Sequence, residues 1–71
     1  MITIFANNGK SPTIRLFRGD RLAHLGTLMR GRDSDWQAVS CEASEVRSVL
    51  MAAFGIEWFN RARGELAAMG L

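Results

Sequence analysis

The side chains with the most reactive chemistry in this chain are a single cysteine, Cys41, and a single histidine, His24. A thiol at a helix start ionises more readily than a free one, and Cys41 stands just ahead of a helical stretch. Glu42 and Glu45 beside it push the other way. A thiolate–imidazole pair would also need His24 brought alongside and a third group to orient it, and no such group is evident. Cys41 therefore reads as a small strand-end residue. One cysteine and one histidine cannot furnish a zinc site or an internal disulfide. Asp33-Ser34-Asp35 resembles the opening of a calcium loop, but the glycine at its sixth position and the glutamate at its twelfth are missing. Arg18-Gly19-Asp20 spells an adhesion tripeptide, which a tight turn explains equally well. There is no glycine-rich phosphate loop, no paired-carboxylate signature and no metal motif. The expectation is a non-enzymatic protein with no cofactor and no metal.

What remains is arginine chemistry. Eight of the nine cations are arginine, whose planar fork suits carboxylate and phosphate. From Lys10 to Arg32 six cations face one anion, a balance of +5; from Asp33 onward six anions face three cations, a balance of −3. A split of this kind either folds back on itself or marks a surface for an anionic partner. At 71 residues the chain makes one small domain, with a β-rich part over 1–42 and a helical part over 43–71. A chain of this length buries about 60% of its unfolded surface, so stability is marginal without a staple or partner. No apolar run reaches the length of a membrane helix and Met1 opens no signal peptide, which gives the expectation of a cytoplasmic protein.

The elements that must position those arginines follow from periodicity. Ile2-Thr3-Ile4-Phe5 is β-branched and aromatic, and Asn7 to Pro12 is dense in turn formers. Ile14 and Leu16 alternate with Thr13 and Arg15 in a second strand, and Gly19-Asp20 suits a two-residue hairpin turn. Residues 22–30 satisfy both periods; the turn signals on each side favour a strand, with a helix over 21–30 as the rival. Trp36 to Cys41 is the fourth strand. From Ser44, a suitable helix cap, Val46, Val49, Leu50, Ala53 and Phe54 form an amphipathic stripe. The apolar positions then rotate to Trp58, Phe59, Ala62, Leu66 and Met69, so the helical region breaks near Gly55 and closes at Gly70. The fold class expected is α+β: a small antiparallel meander of three or four strands packed on a C-terminal helical region.

A two-residue turn at Gly19-Asp20 pairs Leu16 with Ala23 and Ile14 with Leu25, and a short loop at 31–34 pairs Met29 with Trp36. That register puts Ile14, Leu16, Ala23, Leu25, Met29 and Trp36 on the core face. The other face carries Thr13, Arg15, Phe17, Leu22, His24, Leu28 and Arg30, an aromatic flanked by cations. The partner-binding residues are accordingly Arg15, Phe17, Arg18, Arg21, His24, Arg30 and Arg32. Adjacent Trp58 and Phe59 cannot both face one core fully, which leaves room for a homodimer.

The function expected is occupation of a surface on a larger protein or protein–nucleic-acid complex. The alternative is nucleic-acid binding, either by the basic hairpin with Phe17 stacking on bases or by Asn60, Arg61 and Arg63 in a helix-turn-helix. At the level of class alone, a motif-free α+β chain of this size is similar to small inhibitors carried by bacteriophages and mobile elements, anti-CRISPR proteins among them. That likeness implies action by covering a functional surface of a host complex.

Overall fold

β-Branched residues at alternating positions start the chain as a strand. A computed structural model describes residues 1–7, 12–28 and 35–71, with β1 at Ile2–Asn7. β2 (Ile14–Arg18) and β3 (Ala23–Leu28) follow antiparallel, each paired to the strand before it. β4 (Trp36–Cys41) does not extend that meander at β3. It returns to pair antiparallel with β1, so the sheet order is β3-β2-β1-β4. This is Greek-key order, in which a long connection brings the fourth strand beside the first. The Met29–Trp36 hairpin is thereby corrected; Met29 itself lies outside the described residues.

The β2–β3 turn is also wider than the sequence suggests. Gly19 to Leu22 form it, closed by the Leu22 N–H donating to the Gly19 carbonyl at 3.2 Å. Arg18 pairs with Ala23 and Phe17 with His24, after which the register slips and Leu16 pairs with Gly26. Leu25 is the extra residue of the resulting bulge. Because a one-residue slip exchanges faces, Leu28 lands in the core and not on the open side.

One face of the sheet is covered. Ile2, Ile4, Ile14, Leu16, Leu28 and Cys41 pack against Val46, Leu50, Trp58, Phe59, Ala62 and Leu66 from the C-terminal segment. That segment opens with a 3-10 turn over Ala43–Glu45, so Glu45 and not Ser44 stands at the N-cap of α1 (Val46–Phe54). α2 spans Ile56–Ala68, and Gly55 between the helices has φ 91° and ψ 166°. Only glycine adopts that conformation without strain, which is why the break falls there. The break re-aims the second stripe. Trp58 and Phe59 are 5% and 6% exposed, so both face the single core and no second copy is needed to cover them. Phe54 and Trp58 stack across the break with ring centroids 4.9 Å apart.

The end of α2 is a Schellman closure. The Leu71 N–H donates to the Leu66 carbonyl (2.9 Å) and the Gly70 N–H to that of Ala67 (3.0 Å), with Gly70 at φ 80°. Leu71 and Leu66 both join the core, and the Arg47 Nε donates to the Leu71 carbonyl at 2.6 Å, tying α1 to that end.

Candidate functional site

Alternation along β1 sends Ile2, Ile4 and Ala6 to the helices and Thr3 and Phe5 to the opposite face. Pairing then decides which side chains share that open face. Thr3 stands between Phe17 of β2 and Ser40 of β4; Phe5 stands between Arg15 and Ala38. The Thr3 and Ser40 hydroxyls lie 3.3 Å apart, in hydrogen-bond reach. At the ends of the strands, Trp36 lies opposite Asn7 and His24 opposite Phe17.

These residues meet. Phe5 packs edge-on against Phe17 with centroids 5.4 Å apart and rings nearly perpendicular. The ring of Phe17 contacts the His24 imidazole at 5.3 Å, and His24 Nε2 is 3.1 Å from the Thr27 hydroxyl. The Arg15 guanidinium sits over the Trp36 ring, its Cζ 5.1 Å from the centroid. Each aromatic contact adds about 0.5–1.5 kcal/mol beyond area burial, and an exposed cation–π contact about 0.5–1 kcal/mol. The cluster therefore holds its own shape without a helix above it.

Phe5, Arg15, Phe17, Leu22 and Trp36 line a shallow dish of about 420 Å³. Its floor is apolar and one wall is the guanidinium stacked on Trp36, so it can take an apolar side chain. Leu22 forms the rim at 45% exposure and with φ 50°, a left-handed conformation unfavourable for leucine. A strained backbone that holds an apolar side chain out toward solvent is a feature of binding sites.

Of the residues singled out in the sequence, Arg15, Phe17 and His24 come together here. Arg18 is exposed but has the opposite parity to Phe17, sharing the side of Leu16 at the strand end, and Arg21 lies in the turn. Arg30 and Arg32 lie outside the described residues. Phe5 and Trp36 are the members that sequence reasoning missed. The alternation of Phe5 with Ile4 and Ile2 could have identified the first. Pairing with β3 would put Trp36 on the core face; its pairing with β1 puts it on the open one.

Cys41 lies on the helix-covered side, opposite Ile2, whereas His24 is on the open face, so the two form no dyad. Burial pushes the Cys41 thiol pKa up, with Glu45 and then Glu42 adding to the shift. Among the described residues no group of three or more His, Cys, Asp or Glu side chains could hold a metal ion, and Asp33 and Ser34 lie outside them. On α2, Asn60, Arg61 and Arg63 are exposed together with Glu57 and Glu65. The helices meet at one residue, without the three- or four-residue turn of a helix-turn-helix. Among the described residues no helix is long and apolar enough to cross a membrane.

The fold and this face define a small two-layer α+β domain in which one side of the antiparallel sheet carries no helix among the described residues. No protein-family model, curated protein or solved structure matches the chain.

Proposed function

We propose that this chain is a non-enzymatic binding protein that docks a protein partner through its open sheet face and acts by covering part of that partner. The observation that carries this reading is the cluster of Phe5, Phe17 and His24, with Arg15 stacked on Trp36, outside the helical layer. The core on the opposite face is complete without it. Aromatic residues and arginine dominate the energetics of protein interfaces, because they combine large apolar area with a polar handle. The dish is sized for one or two apolar side chains, and Arg21, in the turn beside the rim residue Leu22, favours an acidic rim on the partner. Small phage-borne inhibitors of the anti-CRISPR type act by coverage in this way, and the proposal extends to that mode and not to any of their targets.

The test compares the natural chain with an Arg15→Glu, Arg18→Glu, Arg21→Glu variant as bait in host lysate, followed by direct titration of the recovered partner. The expected result is at least a hundredfold weaker binding with stability changed by about 1 kcal/mol or less, as for surface positions. Equal binding by the two proteins refutes it.

Nucleic-acid binding is the second reading, supported by rings and an arginine on an exposed antiparallel sheet. Against it, Phe5 and Phe17 already pack on each other and a face of Trp36 is taken by Arg15, which leaves less ring surface for bases. A salt titration with mixed single-stranded oligonucleotides decides: steep salt dependence supports this reading, and no binding at low salt removes it.

A further inference from the structure

The open sheet has two edges and they are unlike. β3 carries the bulge at Leu25 and a glycine at position 26, and it is entered from the left-handed Leu22; irregularities of this kind blunt an edge. β4 pairs with β1 through six successive registers without a bulge. Its sequence, Trp36-Gln37-Ala38-Val39-Ser40-Cys41, has no proline, glycine or charge, and all but Cys41 are exposed. The outward N–H and C=O groups of β4 have no hydrogen-bond partner among the described residues. Such an edge is a template for another strand.

Two further features say which strand. On the helix side, a groove of about 210 Å³ runs beside β4, lined by Val39, Val49, Ala53 and Phe54 among others. Val39, 48% exposed, stands at its mouth. A strand laid along β4 would send alternate side chains into this groove. At the two ends of β4 stand exposed acids, Asp35 and Glu42.

Those acids disfavour a second copy. In a two-fold antiparallel pair, opposed residues must share a face, so the axis has to pass through Ala38 or Val39. Either register leaves Asp35 of one copy one position away from opposing Glu42 of the other, across the two faces of the joint, so that each end of the joint gathers two carboxylates. Like charge gathered at both ends opposes pairing within the Debye length, and flanking charges of this sort act as gatekeepers. A strand with cations at its ends meets the opposite situation.

We propose that the β4 edge takes an extended segment of a partner protein by strand addition. The segment is about five or six residues long, as strands usually are. It is uncharged at its centre, β-branched or apolar where it faces the groove, and flanked by Lys or Arg. This inference stands apart from the open-face reading, since it uses the β4 backbone and the α1 side of the sheet.

The experiment titrates the full isotopically labelled chain with acetyl-Lys-Lys-Thr-Val-Thr-Val-Thr-Lys-Lys-amide. Controls are the same peptide with Glu at the four flanking positions, and a version with Pro in place of both Val residues. The expected result is amide shift changes along β4 and slowing of hydrogen exchange there by tenfold or more. Lys-flanked peptide binds at least tenfold more tightly than Glu-flanked peptide at low salt, and an Asp35→Lys, Glu42→Lys variant reverses that preference. Both substitutions are at exposed positions and leave the core intact. The proposal is overturned by equal binding of the two flanked peptides, by binding of the Pro version, or by no β4 response at millimolar peptide. A free chain that dimerises with the same β4 amides protected overturns it in favour of a second copy. None of these outcomes alters the expectation for the Arg15, Arg18 and Arg21 variant.

Discussion

A double-mutant cycle at Gly26 and Met69 tests how α2 seats on the sheet. Gly26 lies on the helix-covered face opposite Leu16, and a Cβ there would meet the Met69 side chain, 2.9 Å from its Sδ and 3.2 Å from its Cγ, with Cε also in contact. Gly26→Ala gains about 0.4–1 kcal/mol from a less flexible unfolded chain. Overpacking costs about 1–3 kcal/mol, toward the lower end here because the obstructing group is the far end of a flexible thioether. The net is a loss of about 1 kcal/mol. Met69→Ala removes a half-buried side chain at a cost of about 1–2 kcal/mol, below the range for full burial. In the double variant the new methyl occupies space that Met69 vacates. Its total cost is therefore expected about 0.4–1 kcal/mol below that of Met69→Ala alone, since the unfolded-chain gain persists once the clash is gone, a coupling of about 1.5–2 kcal/mol. Urea unfolding followed by tryptophan fluorescence measures all four proteins, and 1 kcal/mol corresponds to about 4–8 °C in Tm at this chain length. Additive costs, or a Gly26→Ala variant more stable than the natural chain, would refute the packing argument.

Leu22→Asn should raise stability by about 0.5 kcal/mol, because asparagine tolerates the left-handed conformation and little burial is lost. The same change should weaken partner binding through the dish; a lower Tm would show that the leucine is not strained. Cys41 should make stability fall at alkaline pH. Its thiol pKa is raised in the folded state, so the stabilisation is intact below the unfolded value near 9.0 and is lost as pH rises from there through the folded value. Denaturant titrations from neutral pH to about pH 10.5 should show a steeper alkaline decline in the natural chain than in Cys41→Ala; parallel curves would contradict it.

Much of this fold was legible because its signals are local. The switch from period 2 to period 3.6, the rotation of the apolar stripe at Gly55 and the closure at Gly70 each depend on neighbouring residues, and each is present. A strand within 22–30 is legible for the same reason, and the structure has it at Ala23–Leu28. The partner of β4 was not. Short strands that follow one another usually pair, and nothing within Trp36 to Cys41 says that its neighbour is β1, more than thirty residues earlier. That single non-local fact moved Trp36 from the core to the open face. The bulge at Leu25 had a comparable effect, moving Leu28 inward, since an extra residue in a strand leaves no mark on hydrophobic alternation until its partner is known. The part of the aromatic cluster within one hairpin, Phe17 and His24 with Arg15 nearby, is legible in the sequence; the part supplied by β1 and β4 is not.

The return of β4 to β1 divides the molecule into two interlocking pieces. One is the meander β1–β3; the other is β4 with both helices, and residues 29–35 are the only covalent link between them. The core lies at the junction, with Ile2, Ile4, Ile14, Leu16 and Leu28 from the first piece and Leu50, Phe59 and Leu66 from the second. Neither piece can bury its apolar side alone. Two chains that opened at the link could exchange their second pieces and rebuild every contact with only that link rearranged, the arrangement of a domain swap. Refolding at high concentration should therefore yield a closed, exchanged pair that dilution resolves slowly, by way of unfolding.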